Sequence, residues 1–307
     1  LELEKAVKTM DSKQVEDYQR VVRFSQDGSL IATGATDGKV HVLKYPGLEP
    51  VCASVLVDND HILDVDINLE KEKLLCVSSK ELKLVNLRNK KNLGKVVQTI
   101  PCTFKNMKCE FRAFRYGRGF TKDFGFAIVN DVVKKAAYIV KYDAYTLEQV
   151  KMVKISSKQI TAVALSNDGA ILAFASADLN ISVVDAVALK VLTTIKEAHG
   201  FSITCIAISP DRQIIASGSA DNTCRITTIP IQFTQFVSIN PLHTLILAIA
   251  VACVLLWLTT LVDLEPYLRP KAIVQETHVQ KTTAIDDVMK TIEKEVIQQP
   301  TIVHDDL

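Results

Sequence analysis

Short apolar runs rich in valine and isoleucine recur through the first 230 residues, each closed by a tight polar turn. Residues 22–28 (VRFSQDG) lead into 30–38 (LIATGATDG) and then 39–43 (KVHVL). Residues 163–169 (VALSNDG) lead into 171–178 (ILAFASAD) and then 180–184, and 206–211 (IAISPD) lead into 214–221 (IIASGSAD) and then 224–227. Each unit predicts strand, turn, strand, turn, strand. The Asp-Gly, Asn-Asp-Gly and Pro-Asp turns supply positive φ or an Asx hydrogen bond. A different pattern follows at 244–262 (TLILAIAVACVLLWLTTLV), where 19 residues contain no charge. As a helix this stretch spans roughly 28 Å, close to the hydrocarbon thickness of a bilayer. A buried core helix is the alternative, although such helices seldom lack a polar face for so long.

Equivalent serines of the last two units, Ser166 and Ser209, stand 43 residues apart, and Asn68 in a weaker copy stands 43 residues after Ser25. This is the period of WD repeats, in which each unit is one four-stranded propeller blade. The expected fold is all-β: a WD-repeat-like β-propeller with about five blades present of seven, followed by a single C-terminal transmembrane helix. The blades fall at about 18–57, 61–100, 104–154, 158–197 and 202–230, the third being irregular with a long insertion before its strands at 124–130, 135–143 and 147–155. Residues 1–11 are expected to form the outer strand of a blade that lies largely upstream. The domain plan is therefore a cytosolic propeller over 1–232, a linker at 233–243, the span at 244–262 and a lumenal tail with a short helix at 263–307.

His199 stands just before the last blade and Asp221 in its second turn. They match the His and Asp that hydrogen-bond inside a WD blade, while the tryptophan position holds Ile226 or Thr227. His199, Asp37, Asp178 and Asp221 are accordingly read as structural blade residues rather than as bases or metal ligands.

Composition narrows the partners. Lysine and arginine number 36 against 35 acidic residues, a net charge of +1, so neither a polyanion nor a polycation is demanded. The seven cysteines contain no CxxC pair and sit mostly in apolar stretches, the usage of reduced, buried thiols in a cytosolic domain. No clustered Cys and His suggest a metal site.

Candidate chemistry is sparse. Residues 104–122 (FKNMKCEFRAFRYGRGFTK) alternate cations with aromatic rings, a pattern that could meet phosphates and bases. The balanced net charge favours a strand with apolar residues inward and a basic loop outward. A third use is an electropositive face toward an anionic leaflet, with Lys90 and Lys91 adding to it. No GxSxG, P-loop, HExxH or GxGxxG occurs. Asp64 and Asp66 alternate along one strand and are expected at a turn or edge, and the sequon at Asn180 has no meaning in a cytosolic domain. In the tail, Ile285, Val288, Met289, Ile292 and Val296 follow helical spacing, with Thr283 and Asp286 as a capping box and Pro300 as a stop. The final residues His304, Asp305, Asp306 and Leu307 differ from the HDEL retrieval signal by one methylene. Such a signal puts the C-terminus in the lumen and the propeller in the cytosol. Arg269 and Lys271, just after the span, argue mildly the other way.

Lys196-Glu197-Ala198-His199-Gly200 leading into Ile203-Thr204 and Ile208-Ser209-Pro210-Asp211, the segment from Phe111 to Gly117, degenerate blades and one late span together resemble a known family. It is the ER-membrane guanine nucleotide exchange factors for the Sar-type small GTPase of the COPII coat, the prolactin regulatory element-binding protein family. The resemblance covers residues 18–262. It implies a seven-bladed cytosolic platform on a single-pass type II anchor in the endoplasmic reticulum, cycling through the Golgi. That platform favours the nucleotide-free GTPase so that GTP replaces GDP and COPII budding begins, with coat components as further partners and no covalent chemistry. It also implies a glycine-rich exchange loop in the first blade, holding potassium. This chain has no such loop, so no catalytic residue and no cofactor are carried over, and residues 1–307 alone are expected not to accelerate exchange. The alternatives are a membrane-anchored adaptor without exchange activity and, from the basic–aromatic segment, a nucleic-acid-binding regulator; no nucleic acid is expected.

Overall fold

A computed structural model of the chain describes residues 5–10, 16–68, 70, 72–88, 90–230, 233 and 241–261. Its residues fall into two units, 1–235 and 236–307. Among the described residues the first unit holds five antiparallel sheets, each laid out in simple strand order. Blade 1 is β1 (Gln19–Phe24), β2 (Leu30–Ala35), β3 (Lys39–Lys44) and β4 (Val55–Leu56). Blade 2 is β5 (Asp64–Asn68), β6 (Lys73–Val77), β7 (Glu81–Asn86) and β8 (Val96–Pro101). Blade 3 is β9 (Cys109–Tyr116), β10 (Phe124–Asp131), β11 (Ala137–Asp143) and β12 (Gln149–Ser156). Blade 4 is β13 (Ile160–Leu165), β14 (Ile171–Ser176), β15 (Ile181–Asp185) and β16 (Lys190–Ile195), and blade 5 has three strands, β17 (Ile203–Ile208), β18 (Ile214–Ser219) and β19 (Cys224–Thr228). The architecture is a β-propeller.

The turns that mark the repeat are built alike. In blade 1 the Ser25 hydroxyl donates to Asp27 at 2.6 Å and accepts the Leu30 N–H at 2.9 Å. Ser166 and Asp168 repeat this at 2.7 Å, with the Ile171 N–H at 3.1 Å. Ser209 accepts the Ile214 N–H at 2.9 Å. One hydroxyl and one carboxylate thus satisfy the backbone of a hairpin that must reverse in four residues. Gly169 shows why the turn ends in glycine: its φ is +72° and a Cβ would lie 1.9 Å from the Arg118 carbonyl oxygen.

Four apolar cores lie between consecutive blades rather than within them. Ala32, Val40 and Val42 of blade 1 pack on Ile62, Val65 and Leu74 of blade 2. Leu75, Leu82 and Leu84 of blade 2 pack on Phe111 and Phe114 of blade 3, and two further clusters join blades 3 to 4 and 4 to 5. Strands β6 and β14 are therefore buried on both faces and read as unbroken apolar runs, as strands covered on two sides do. The outer β12 mixes exposed and half-buried residues and has no fully buried one. Val22 and Phe24 of β1 are 56% and 52% exposed and Ile226 of β19 is 68% exposed, so these two faces carry no neighbouring blade among the described residues.

Three expectations change. Residues 5–10 form no strand. The long insertion before blade 3 contains its inner strand, β9, followed by a 3-10 turn at Gly119–Thr121. The cysteines are not uniformly buried: all are free thiols, Cys76 is enclosed, and Cys205, Cys224 and Cys253 are exposed.

The second unit contains α1 (Pro241–Leu261), 21 residues without a charge. Val251, Val254, Leu255 and Leu256 are exposed on it. The side chains of α1 are described over 248–258, and among the described residues no helix is long and apolar enough to cross a membrane. The tail helix expected at 283–300 and the terminal His304, Asp305, Asp306 and Leu307 lie outside the described residues.

Candidate functional site

The inner strands β1, β5, β9, β13 and β17 line one axial channel, and two cavities along it each draw residues from all five. Asp64 and Asp66 point the same way because they are two apart on β5. Both are buried, at 3% exposure, which corrects the turn-or-edge expectation. Asp64 accepts the Phe114 N–H at 3.2 Å, and Asp66 accepts the Tyr116 N–H at 2.7 Å. The two carboxylates therefore stitch β5 to β9, where no blade sheet supplies a ladder.

Arg115 completes the junction. Its Nη1 makes an ion pair with Asp64 and also donates to the Phe114 carbonyl, while Nη2 donates to the Val163 carbonyl of blade 4 at 3.2 Å. Arg23 of blade 1 approaches the other Asp64 oxygen at 3.4 Å. One buried guanidinium and one buried carboxylate thus tie together the inner strands of blades 1 to 4. Among the described residues Asp66 has no such cation in contact. Burial pushes its carboxyl above the usual carboxylate range, against the pull of Arg115 and the Tyr116 N–H.

The basic–aromatic segment divides. Phe111, Phe114 and Tyr116 are buried, with Phe114 and Tyr116 edge-to-face at 5.0 Å. Rings so placed cannot stack on bases. Lys105, Lys108 and Lys122 are exposed, as a basic loop outward requires. Arg112, Arg115 and Arg118 instead line the axis, which the segment's alternation alone does not indicate. The signal that marks them is position: Arg112 and Arg115 belong to β9, the innermost strand of blade 3, and Arg118 lies two residues beyond its end, before the 3-10 turn.

In blade 5, His199 is buried and bridges three elements. Its Nε2 lies 2.8 Å from Ser217 Oγ, and its Nδ1 lies 3.2 Å from Asp221 Oδ2 and 3.0 Å from Thr223 Oγ1. A carboxylate can only accept, so Nδ1 carries a proton; the Ser217 hydroxyl also lies 3.5 Å from the Arg225 carbonyl, to which it can donate. Asp221 also accepts the N–H of Gly200 at 2.9 Å and of Thr223 at 2.9 Å. The Thr223 hydroxyl, foremost among these donors, holds the Asp221 carboxyl well below the usual range. Asp37 accepts the Lys39 N–H at 3.0 Å, and Asp178 accepts from the Asn180 amide at 2.8 Å. The four residues thus sit in turns or blade joints. Among the described residues no group of three or more His, Cys, Asp or Glu has metal-ligating geometry.

The fold defines a β-propeller. Residues 13–43 and 189–227 match the WD domain, G-beta repeat. The β-propeller domain of Myceliophteria thermophila Cps50 (Swd1) superposes with a TM-score of 0.55 at 16% identity, over 73% of this chain and 68% of that one, a likeness of fold alone. More particularly, the chain resembles the SEC12 proteins. It is 24% identical over 255 residues to the guanine nucleotide-exchange factor SEC12 of Mus musculus, covering 74% of this chain and 60% of that protein. It is 24% identical over 243 residues to SEC12-like protein 1 of Arabidopsis thaliana, covering 76% and 57%. The chain thus spans about 60% of the length of the curated relatives it matches.

Proposed function

We propose that this protein is a guanine nucleotide exchange factor that activates a Sar-type small GTPase at the endoplasmic reticulum membrane and so starts COPII vesicle budding. The observation that carries this is the likeness to SEC12 exchange factors over three quarters of the chain, on a propeller framework. Exchange needs no covalent chemistry. A surface that binds the opened, nucleotide-free GTPase more tightly than the GDP-bound form lowers the GTPase's affinity for GDP by the same factor. The more abundant GTP then enters.

Residues 244–262 serve as a single-pass type II anchor, the propeller in the cytosol and the terminal His304, Asp305, Asp306 and Leu307 read in the lumen. This rests on sequence: 19 uncharged residues and a near-HDEL end. The anchor confines the platform to the membrane on which the activated GTPase and the coat assemble. An anchored adaptor without exchange activity is the second reading, and the same assay separates the two.

The test uses microsomes bearing the protein as the cell makes it, with GDP release from a fluorescently loaded Sar-type GTPase as readout. Faster release, lost on depletion, is expected. GTPase capture with unchanged release selects the adaptor, and absence of both refutes a GTPase partner.

A further inference from the structure

Four of the five inner strands carry a bulge at the corresponding place in their blades. The extra residue is Arg20 in β1, Arg112 in β9, Thr161 in β13 and Thr204 in β17, while β5 pairs without interruption. A bulge re-aims its side chain out of the regular pleat. All four of these residues line the same axial cavity, of about 170 Å³.

The hydroxyls are already committed: Thr161 donates to the Ile203 carbonyl at 2.7 Å and Thr204 to that of Gly218 at 3.3 Å. The two arginines differ. Neither Arg20 nor Arg112 makes a hydrogen bond or an ion pair within the described residues. The cavity brings them together with Arg23 and Arg115 against one carboxylate, Asp64, whose oxygens already serve Arg115, Arg23 and the Phe114 N–H. Burial, ahead of any other influence, pushes the Arg112 guanidinium toward its neutral form; Arg20 and Arg115 push the same way and Asp64 opposes. Arg23 is pushed likewise, by burial and then by Arg115. Four like charges collected in a half-closed space against a single shared carboxylate are costly unless a further anion joins them.

We propose that the ring of bulges is a binding site for a small phosphate-type oxyanion, held between Arg20 of blade 1 and Arg112 of blade 3. The cavity has room for about five or six waters at ~30 Å³ each, enough for one tetrahedral anion with water around it. Two guanidinium forks suit such an anion better than a spherical halide, because each can donate two parallel N–H bonds. A bound anion would link strands of blades 1 and 3, which are not sequence neighbours. The site is independent of the exchange reading.

The test is calorimetric titration and thermal unfolding of the full chain in detergent, with inorganic phosphate or pyrophosphate at constant ionic strength set by chloride. Saturable binding and a rising melting temperature are expected. Arg20→Gln and Arg112→Gln should each weaken binding about tenfold or more, as loss of a charge-assisted contact does, and the double variant should abolish it. Without anion, Arg112→Gln should melt no lower than the parent, because it removes repulsion and no bond. Should it melt early, Arg20→Gln alone, at an exposed residue, decides the matter. No saturable binding above the chloride control, or unchanged affinity in Arg20→Gln, overturns the proposal.

Discussion

Replacing Arg115 by methionine is expected to be the most damaging single charge removal in the propeller. The side chain is 6% exposed and its partner Asp64 is 4% exposed, so the carboxylate left behind cannot be rehydrated. It keeps only the Phe114 N–H at 3.2 Å and Arg23 at 3.4 Å, itself 39% exposed. The carbonyls of Phe114 and Val163 each lose a donor as well. Removing one partner of a buried pair costs about 3–5 kcal/mol. For a unit of this size that is a fall in melting temperature of roughly 6–20 °C at ~2–4 °C per kcal/mol.

Asp64→Asn in the same background keeps an acceptor for the Phe114 N–H while removing the stranded charge. The double variant should therefore recover about 1–3 kcal/mol relative to Arg115→Met alone. Arg88–Glu72 is the control: it pairs at 3.1 Å, but its side chains are 80% and 50% exposed. Losing it should cost at most about 1 kcal/mol. The assay is urea unfolding of residues 1–235 followed by tryptophan-independent probes, far-ultraviolet dichroism and hydrogen exchange, compared at constant slope. A cost for Arg115→Met below about 1 kcal/mol, or singles that add without coupling, would refute the claim that this pair joins the blades.

Asp66→Asn should stabilise the propeller at pH 7 and keep the bond to the Tyr116 N–H. The folded carboxyl sits above its ordinary value, so the native state holds a proton that the unfolded chain has released. Stability in the parent therefore falls as pH rises through that window, and the asparagine variant should show a flatter curve there in pH-dependent denaturation. His199→Ala should cost about 1–3 kcal/mol, since it leaves Ser217 Oγ, 2% exposed as a residue, with only the long 3.5 Å bond to the Arg225 carbonyl, and thermal melts read this directly. Gly169→Ala should destabilise by more than the ~1 kcal/mol of a strain-free glycine replacement, because both φ and the Arg118 carbonyl oppose the new methyl. Val251→Asp, in the middle of α1, should shift the protein from the carbonate-resistant membrane fraction to the soluble one if 244–262 span the bilayer.

The repeat was legible because its determinants are local. Ser25 with Asp27 and Ser166 with Asp168 lie within one hairpin, and the apolar runs beside them follow from burial on two faces. His199 and Asp221 were legible for a similar reason, the contact spanning only 22 positions between the entry to the last blade and a turn inside it. What the sequence could not reveal depends on which strand of each blade is innermost. Arg115 contacts Asp64 across 51 positions, and Asp66 accepts from a residue 50 away. Read along the chain, Asp64 and Asp66 look like edge carboxylates and Arg112, Arg115 and Arg118 like an outward basic strip. Only closure of the blades about an axis turns both sets inward, and no periodicity within a single blade encodes that closure.

The same division bears on the proposed activity. A factor that holds a GTPase open must present a surface stiffer than the switch regions it displaces, since otherwise the strain relaxes into the factor. Apolar cores alone join blades pairwise and would permit small sliding of one blade on the next. The Asp64–Arg115 junction differs in kind, because directional bonds from one guanidinium reach blades 2, 3 and 4 while Arg23 adds blade 1. Loss of this junction should therefore loosen the angle between blades before it unfolds any one of them. On that argument, Arg115→Met should weaken capture of the nucleotide-free GTPase at temperatures where dichroism still reports folded blades, whereas the Arg88–Glu72 control should leave capture unchanged. Equal capture by Arg115→Met and parent below the melting transition would show that the platform's stiffness resides in the interblade apolar cores instead.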